Sequence, residues 1–129
     1  MFPDAWKRHE RPTSPGLVNG RLVFTSGQVG IDQRTGELVG EGTYEQTAQA
    51  LHNLEEVLRE AGGSLADLTK VTVYLANRTD IAEMNRAYAA VIPQPWPARS
   101  TVLAGLARPE LRVEIEGVAV LSSSDFTGS

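Results

Sequence analysis

Two carboxylates near the end of the sequence have the spacing of a chemical pair. Glu114 and Glu116 are separated by one residue and alternate with the apolar Val113 and Ile115. This alternation is typical of a β-strand, so both carboxylates would point to the same face of a sheet. Either they lie on a solvent-facing edge, paired with arginines such as Arg112, or one of them is a general acid–base carboxylate in a cleft.

An arginine follows a stiff turn in the same half of the chain. Arg99 comes directly after Ala98 and the segment 93–97, in which three of the five residues are prolines. Such a turn can hold an arginine in one place, and the planar guanidinium binds a carboxylate through two parallel hydrogen bonds. An ordinary surface arginine is the alternative interpretation.

The third candidate is the end of an early strand, where Ser26 and Gly27 stand. A glycine at this point lets a backbone amide approach a ligand closely. The alternative is a bulge that leads into the following loop.

The composition excludes or disfavours several other kinds of site. The 129 residues include no cysteine, which excludes a disulfide scaffold, a thiol nucleophile and a Cys-ligated metal. His9 and His52 are not part of any cluster of metal ligands in the sequence, so we expect no metal site. A net charge of −4 argues against a nucleic-acid partner.

The sequence also indicates where the protein works. No apolar run reaches the roughly 18 residues of a membrane helix. The N-terminus lacks the apolar stretch of a secretory signal. We therefore expect a cytoplasmic protein with no membrane partner.

The length predicts a single domain over 1–129, with an irregular arm at 1–12 and a flexible tail at 122–129. Asn19-Gly20 between apolar pairs predicts a β-hairpin, because both residue types tolerate a positive φ in the turn. The second strand of this hairpin is expected to continue as far as Val29.

Two amphipathic helices are predicted. The first begins with Thr43 as N-cap and Gln46 as its capping-box partner, and it ends at Gly62. The second is capped by Asp80 and stopped by Pro93. The apolar stripe of the first helix consists of Tyr44, Ala48, Leu51, Leu54, Leu58 and Ala61.

Strands are predicted at 69–75, 100–104 and 112–121, where β-branched residues and alternation coincide. The element order is then β-β-α-β-α-β-β. It predicts an α/β fold of the α+β kind, a two-layer sandwich of one mixed sheet with two helices on one face. The other sheet face would be open, so we expect the chain to associate with itself.

Five short motifs occur in order along the chain, at fitting distances from one another. Together they resemble the RidA/YjgF family of reactive-intermediate deaminases, which is also called the endoribonuclease L-PSP family. The resemblance runs from about residue 13 to residue 121. The motifs are Thr25-Ser26-Gly27-Gln28, Asp32 with Thr35-Gly36-Glu37, Asn85 with Tyr88, Pro97-Ala98-Arg99-Ser100 and Glu114-Ile115-Glu116-Gly117-Val118-Ala119.

The resemblance implies a fold of the chorismate-mutase-like type, assembled as a homotrimer whose sheets form a central barrel. Its active sites would lie in clefts between neighbouring subunits. The implied activity is hydrolysis of 2-imino or 2-enamino acids, such as 2-iminobutanoate and 2-iminopropanoate, to 2-keto acids and ammonia. It implies no cofactor and no metal.

The resemblance also implies roles for individual residues. Arg99 would hold the substrate carboxylate, and Glu114 would position and activate the attacking water. Ser26 and Asn85 would be polar site residues, and Gly27 would offer a backbone contact. Glu116 receives no role.

Two site positions depart from the family pattern. Thr13 stands where deaminases of the family carry a tyrosine, and Thr101 stands where they often carry a cysteine. Thr13 and Thr101 would still line the substrate site. Trp96, just before the arginine turn, either lines the cleft and accepts a larger or aromatic substrate, or packs beneath the turn.

Two other functions stay open at the level of sequence. One is a non-catalytic trimer that binds small carboxylates as a sensor or regulatory protein. The other is an endoribonuclease, which the net negative charge and the lack of a histidine pair disfavour.

Overall fold

One mixed sheet is the framework of the computed structural model, which describes residues 12–122. Its strands lie in the order β1-β2-β6-β4-β5, and β3 also pairs with β6. Among the described strands β4 and β5 are parallel, and all other pairs are antiparallel. The strands are β1 (Gly16–Asn19), β2 (Leu22–Thr25), β3 (Gln28–Val29), β4 (Leu68–Leu75), β5 (Ala98–Leu103) and β6 (Val113–Val120).

Two helices pack on this sheet, α1 (Thr43–Glu60) and α2 (Ile81–Val91). The predicted α+β architecture is therefore confirmed, with the short β3 as an added strand. Most of the predicted arm at 1–12 and tail at 122–129 lies outside the described residues. No helix within 12–122 has the length and apolar character needed to cross a bilayer.

The predicted hairpin of β1 and β2 forms, but its turn lies one residue later than predicted. Asn19 pairs with Leu22, so the two turn residues are Gly20 and Arg21. Gly20 has a φ of 62°, and between residues 12 and 122 no residue other than glycine has a positive φ. A positive φ at the first turn position alone is the pattern of a type II′ turn, which needs glycine there and leaves Asn19 in the strand.

The second hairpin strand does not continue unbroken to Val29, because a bulge interrupts it. From Phe24 to Gln28 the chain advances four residues, whereas its partner strand β6 advances three. The extra residue bends the strand out of the ladder. Ser26 and Gly27 lie in this bend, so the bulge interpretation and the ligand-approach interpretation describe the same place.

Helix α1 begins at Thr43, with Gly42 rather than Thr43 as its N-cap. The Glu45 side chain accepts a hydrogen bond from the Gly42 backbone N–H at 2.9 Å. At its other end the helix stops as predicted. Gly62 has a φ of 93°, and the N–H of Gly63 donates to a carbonyl of the last helical turn at 2.7 Å.

Gln46 is a buried polar residue, not a capping partner. Its Nε2 donates to the carbonyls of Gly40 and Glu110 at 2.9 and 3.1 Å. Its Oε1 accepts from the backbone N–H of Arg112 at 2.8 Å. One side chain thus satisfies three backbone groups and ties the loop before α1 to the start of β6.

The core lies between the helices and one face of the sheet. Of the predicted stripe of α1, the three leucines are buried there, Ala48 and Ala61 are partly buried, and Tyr44 is exposed. Asp80 stands at the N-cap position of α2 as predicted. Its carboxylate does not cap the helix and lies 3.4 Å from Nη1 of Arg112 instead. The core includes Val23, Leu51, Leu54, Leu58, Val71, Val73, Leu75, Met84, Tyr88, Val113, Ile115 and Ala119.

The sheet face opposite the helices, called here the open face, carries large apolar side chains in water. Buried Val113 and Ile115 alternate with Glu114 and Glu116 on β6, so both glutamates lie on the open face, as predicted. The pairing register places exposed apolar residues on the same face, namely Leu17, Leu22, Phe24 and Val102.

Candidate active site

Glu114 lies in the middle of the sheet and not at an edge. It pairs with Val29 on one side and with Tyr74 on the other. A Cβ atom added at Gly27 would come within 2.8 Å of Cδ and 2.9 Å of Cγ of Glu114. The glutamate side chain therefore covers the backbone of the bend, and the predicted solvent-facing edge is wrong.

The surroundings of Glu114 favour its neutral form. Burial raises the pKa of its carboxyl, and the negative charge of Glu116 raises the pKa further. Glu116 also raises the pKa of the Tyr74 phenol, with smaller contributions from burial, a hydrogen bond and the charge of Glu114. A carboxyl with a raised pKa holds a proton closer to neutral pH, which suits a group that takes up and returns one.

Ser26 directly precedes Gly27 and is fixed by the chain before β1. Its Oγ donates to the carbonyl of Ser14 at 2.5 Å, and its N–H donates to the carbonyl of Pro15 at 2.9 Å. Ser26 and Thr13 line one open cavity of about 620 Å³. We call Glu114, Gly27, Ser26 and Thr13 the glutamate half-site.

Arg99 occupies a different place, near the start of β5. Its guanidinium lies over the ring of Tyr88, 4.8 Å from the ring centroid. Its Nη1 lies 3.8 Å from Sδ of Met84, one turn earlier on α2. Within residues 12–122 no carboxylate pairs with Arg99. The cation is thus held by an aromatic face and a sulfur, and its N–H edges can still bind an anion.

A cavity of about 330 Å³ opens beside this guanidinium. Asn85 lines it, so the structure brings Asn85 and Arg99 to the same cavity. Trp96 also lines it and is 54% exposed, so it does not pack beneath the turn. Thr101 lies two residues beyond Arg99 on β5 and is exposed. We call Arg99, Asn85, Trp96 and Thr101, together with Tyr88, the arginine half-site.

The two half-sites lie on opposite faces of the sheet. Arg99 pairs with Val71, which is buried under the helices, and its contacts on α2 lie on that side. Glu114 is on the open face of β6, two strands from β5. Along β6 it lies three residues from Gly117, the residue that is level with Arg99. At strand and residue spacings of about 4.8 and 3.3 Å, the Cα atoms of Arg99 and Glu114 are about 14 Å apart. Arg99 and Glu114 of one chain therefore do not meet.

How Arg99 is held could not be predicted from the sequence. Met84 and Tyr88, which hold it, are buried residues of α2. Their spacing of four residues places them on one helix face. Nothing in that spacing indicates which strand residue lies against them.

Residues 8–121 match the family described as Endoribonuclease L-PSP. The chain belongs to this family. The predicted resemblance is thereby confirmed. The human protein 2-iminobutanoate/2-iminopropanoate deaminase is 35% identical over 84% of this chain and 80% of its own length.

Two crystal structures show the same fold. RidA from an Antarctic Psychrobacter species has a TM-score of 0.82 at 34% identity, covering 88% of this chain and 91% of its own. TdcF of E. coli, solved with bound serine, has a TM-score of 0.82 at 31% identity with the same coverage of both chains. This L-PSP family member therefore shares both the sequence pattern and the architecture of RidA proteins.

Proposed function

We propose that this protein hydrolyses 2-imino or 2-enamino acids to 2-keto acids and ammonia. The observation that carries the proposal is the guanidinium of Arg99, which is fixed on Tyr88, faces a cavity and has no carboxylate partner within 12–122. Such a group binds the carboxylate of a small acid through two hydrogen bonds. The name of the human relative and the serine bound to TdcF support a substrate of this class.

We further propose that the working protein is a homotrimer in which each active site joins two chains. The arginine half-site of one copy would face the glutamate half-site of its neighbour. The separation of about 14 Å, on opposite faces, supports this arrangement, because one substrate cannot touch both residues of one chain. The apolar side chains on the open face also support it, since association would remove them from water.

The proposed reaction needs little beyond orientation and proton transfer. Arg99 holds the carboxylate and so fixes the imine carbon, C2, which is already electrophilic. The imine reacts with its nitrogen protonated: Glu114 accepts a proton from a water molecule, whose oxygen forms a bond to C2 while the C=N π electrons move to nitrogen and leave a neutral amino group. An enamine substrate first takes a proton at C3 to become the imine.

The same carboxyl completes the turnover. The tetrahedral adduct carries a hydroxyl and an amino group on C2, and Glu114 returns its proton to the nitrogen. The C–N bond breaks with its electron pair leaving on ammonia, and the hydroxyl proton passes to the Glu114 carboxylate, which leaves the keto group on C2. General acid–base help of this kind accelerates a reaction by about 10²–10⁴-fold.

An imine-decay assay tests this proposal. An amino-acid oxidase generates 2-iminopropanoate or 2-iminobutanoate in the presence of wild type, Arg99→Ala, Glu114→Gln or Arg34→Ala. Arg34 is an exposed loop arginine and serves as the matched control. We expect wild type and Arg34→Ala to accelerate decay equally, and the other two variants to lose about 100-fold or more.

Other outcomes would select the other functions. If wild type binds 2-keto acids in a calorimeter but leaves imine decay unchanged, the protein is a carboxylate-binding protein and the deaminase proposal is wrong. Degradation of RNA by nuclease-free wild type, lost in Glu114→Gln, would select the endoribonuclease.

A further inference from the structure

The arginine half-site has an apolar wall that the carboxylate-binding role of Arg99 does not use. Trp96 and Pro97 on the turn, and Ala89 on α2, line the same cavity as Arg99. Among the lining residues Arg99 carries the only charge, and Asn85 is the only carboxamide. Within this chain, the groups beside a carboxylate held by Arg99 are therefore largely apolar, and they are available to the side chain of the ligand.

Trp96 is the large apolar residue of this wall that is exposed to solvent. Its side chain is 54% exposed, whereas the ring of Tyr88 is buried and already stacked by the arginine. Leaving the apolar surface of an exposed tryptophan in water costs free energy, and covering that surface with another ring is favourable. The wall is thus suited to an apolar group only a few bonds away from a carboxylate.

The size of the cavity agrees with a ligand larger than the smallest imino acids. At about 330 Å³ it lies within the range of pockets that enclose whole small molecules. An aromatic side chain on C3 has more apolar surface to place against the indole of Trp96 than the methyl group of a three-carbon acid has.

We propose that Trp96 is a specificity-determining residue and that the protein prefers 2-imino acids with an aromatic or large apolar side chain. The carboxylate is held by Arg99, and the side chain lies between Trp96, Pro97 and Ala89. The predicted difference in kcat/KM rests on the proposed deaminase function. The predicted preference in binding does not, because it applies to 2-keto acids as well as to 2-imino acids at this site.

The kinetic test compares two substrates in each variant. An amino-acid oxidase produces the imine of phenylalanine or of alanine, and kcat/KM is measured for wild type, Trp96→Ala, Trp96→Phe and Tyr44→Ala. Tyr44 is an exposed aromatic residue outside the cavity and provides the control. We expect Trp96→Ala to lower kcat/KM about fivefold to tenfold for the phenylalanine imine only. Trp96→Phe and Tyr44→Ala should keep the wild-type ratio of the two substrates.

A binding test separates failure of this inference from failure of the deaminase function. Calorimetry with phenylpyruvate and pyruvate measures the same preference without turnover. If no imine is hydrolysed but phenylpyruvate binds more tightly than pyruvate, and Trp96→Ala removes the difference, the specificity site stands alone. If the two acids bind equally to wild type, or if Trp96→Ala weakens both by the same factor, the inference is wrong even where imines are hydrolysed.

Discussion

The carboxylate of Glu114 lies against the backbone of Gly27, so closely that a methyl group at position 27 would collide with it. The bulge between β2 and β3 creates this contact by lifting residues 26 and 27 out of the ladder beside β6. Glycine at 27 therefore leaves room for the side chain that, in the proposed reaction, moves the proton.

Replacing Gly27 tests this contact. Gly27→Ala should push the end of the Glu114 side chain aside and lower kcat/KM for imine hydrolysis by about 100-fold, as misplaced catalytic groups do. The melting temperature should change little, because the displaced atoms are the free end of a side chain. Gly105→Ala is the control, since a Cβ at 105 has open space around it. Equal activity of the two variants would contradict the role of Gly27.

The pH dependence of activity reports the environment of Glu114. The acid limb of kcat/KM follows the pKa of the carboxyl that must be ionised to accept a proton. Because the charge of Glu116 raises the pKa of Glu114, Glu116→Gln should move this limb to lower pH. Glu37→Gln, in an exposed loop, should leave it in place. If the acid limb of Glu116→Gln stays at the wild-type pH or moves to higher pH, Glu116 does not raise the pKa of the catalytic base.

The same raised pKa predicts a cost in stability. The folded state binds the Glu114 proton more tightly than the unfolded chain does. The protonated carboxyl therefore stabilises the fold at pH values below its pKa in the unfolded chain, and this stabilisation is lost as the pH rises through its pKa in the folded protein. Glu114→Gln, which is neutral throughout, should therefore raise the melting temperature at pH 7 and change it less at pH 4. Glu41→Gln, an exposed carboxylate, serves as the comparison. A larger gain at pH 4 would mean that the fold favours ionised Glu114.

Tyr88 is expected to act through its ring and not through its hydroxyl. The phenol oxygen is buried and has no hydrogen-bond partner among residues 12–122, so Tyr88→Phe should retain stability or gain slightly. It should also retain KM, because the ring still supports Arg99. Tyr88→Leu removes the platform and should raise KM about tenfold, with a smaller change in kcat. Equal KM values in the two variants would place the support of Arg99 elsewhere.

Elements with a strong local pattern could be predicted from the sequence. The strand at 69–75, the two helices and the order of elements follow from periodicity and from Gly62 and Pro93. Two predicted positions were wrong by one residue. The N-cap of α1 is Gly42 and not Thr43, because the Glu45 side chain accepts a hydrogen bond from the Gly42 N–H. The first turn residue of the hairpin is Gly20 and not Asn19.

The relation between the site residues could not be predicted, because it depends on pairing between distant strands. Alternation places Glu114 and Glu116 on one face, but only the insertion of β6 between β2 and β4 shows that this face is opposite to Arg99. The role of Gln46 could not be predicted for the same reason, since one of its hydrogen-bond partners lies 66 residues away in the sequence. No local pattern reports contacts of this kind.

Complementation between two inactive variants tests the central claim that Arg99 and Glu114 work together across two chains. Arg99→Ala and Glu114→Gln carry different tags, are co-expressed, and are purified through both tags so that every trimer is mixed. Each mixed trimer then has one cleft that joins an intact Arg99 to an intact Glu114. We expect about a third of the wild-type imine-hydrolysis activity, from two variants that are each inactive alone. Mixed trimers as inactive as their parents would contradict the claim.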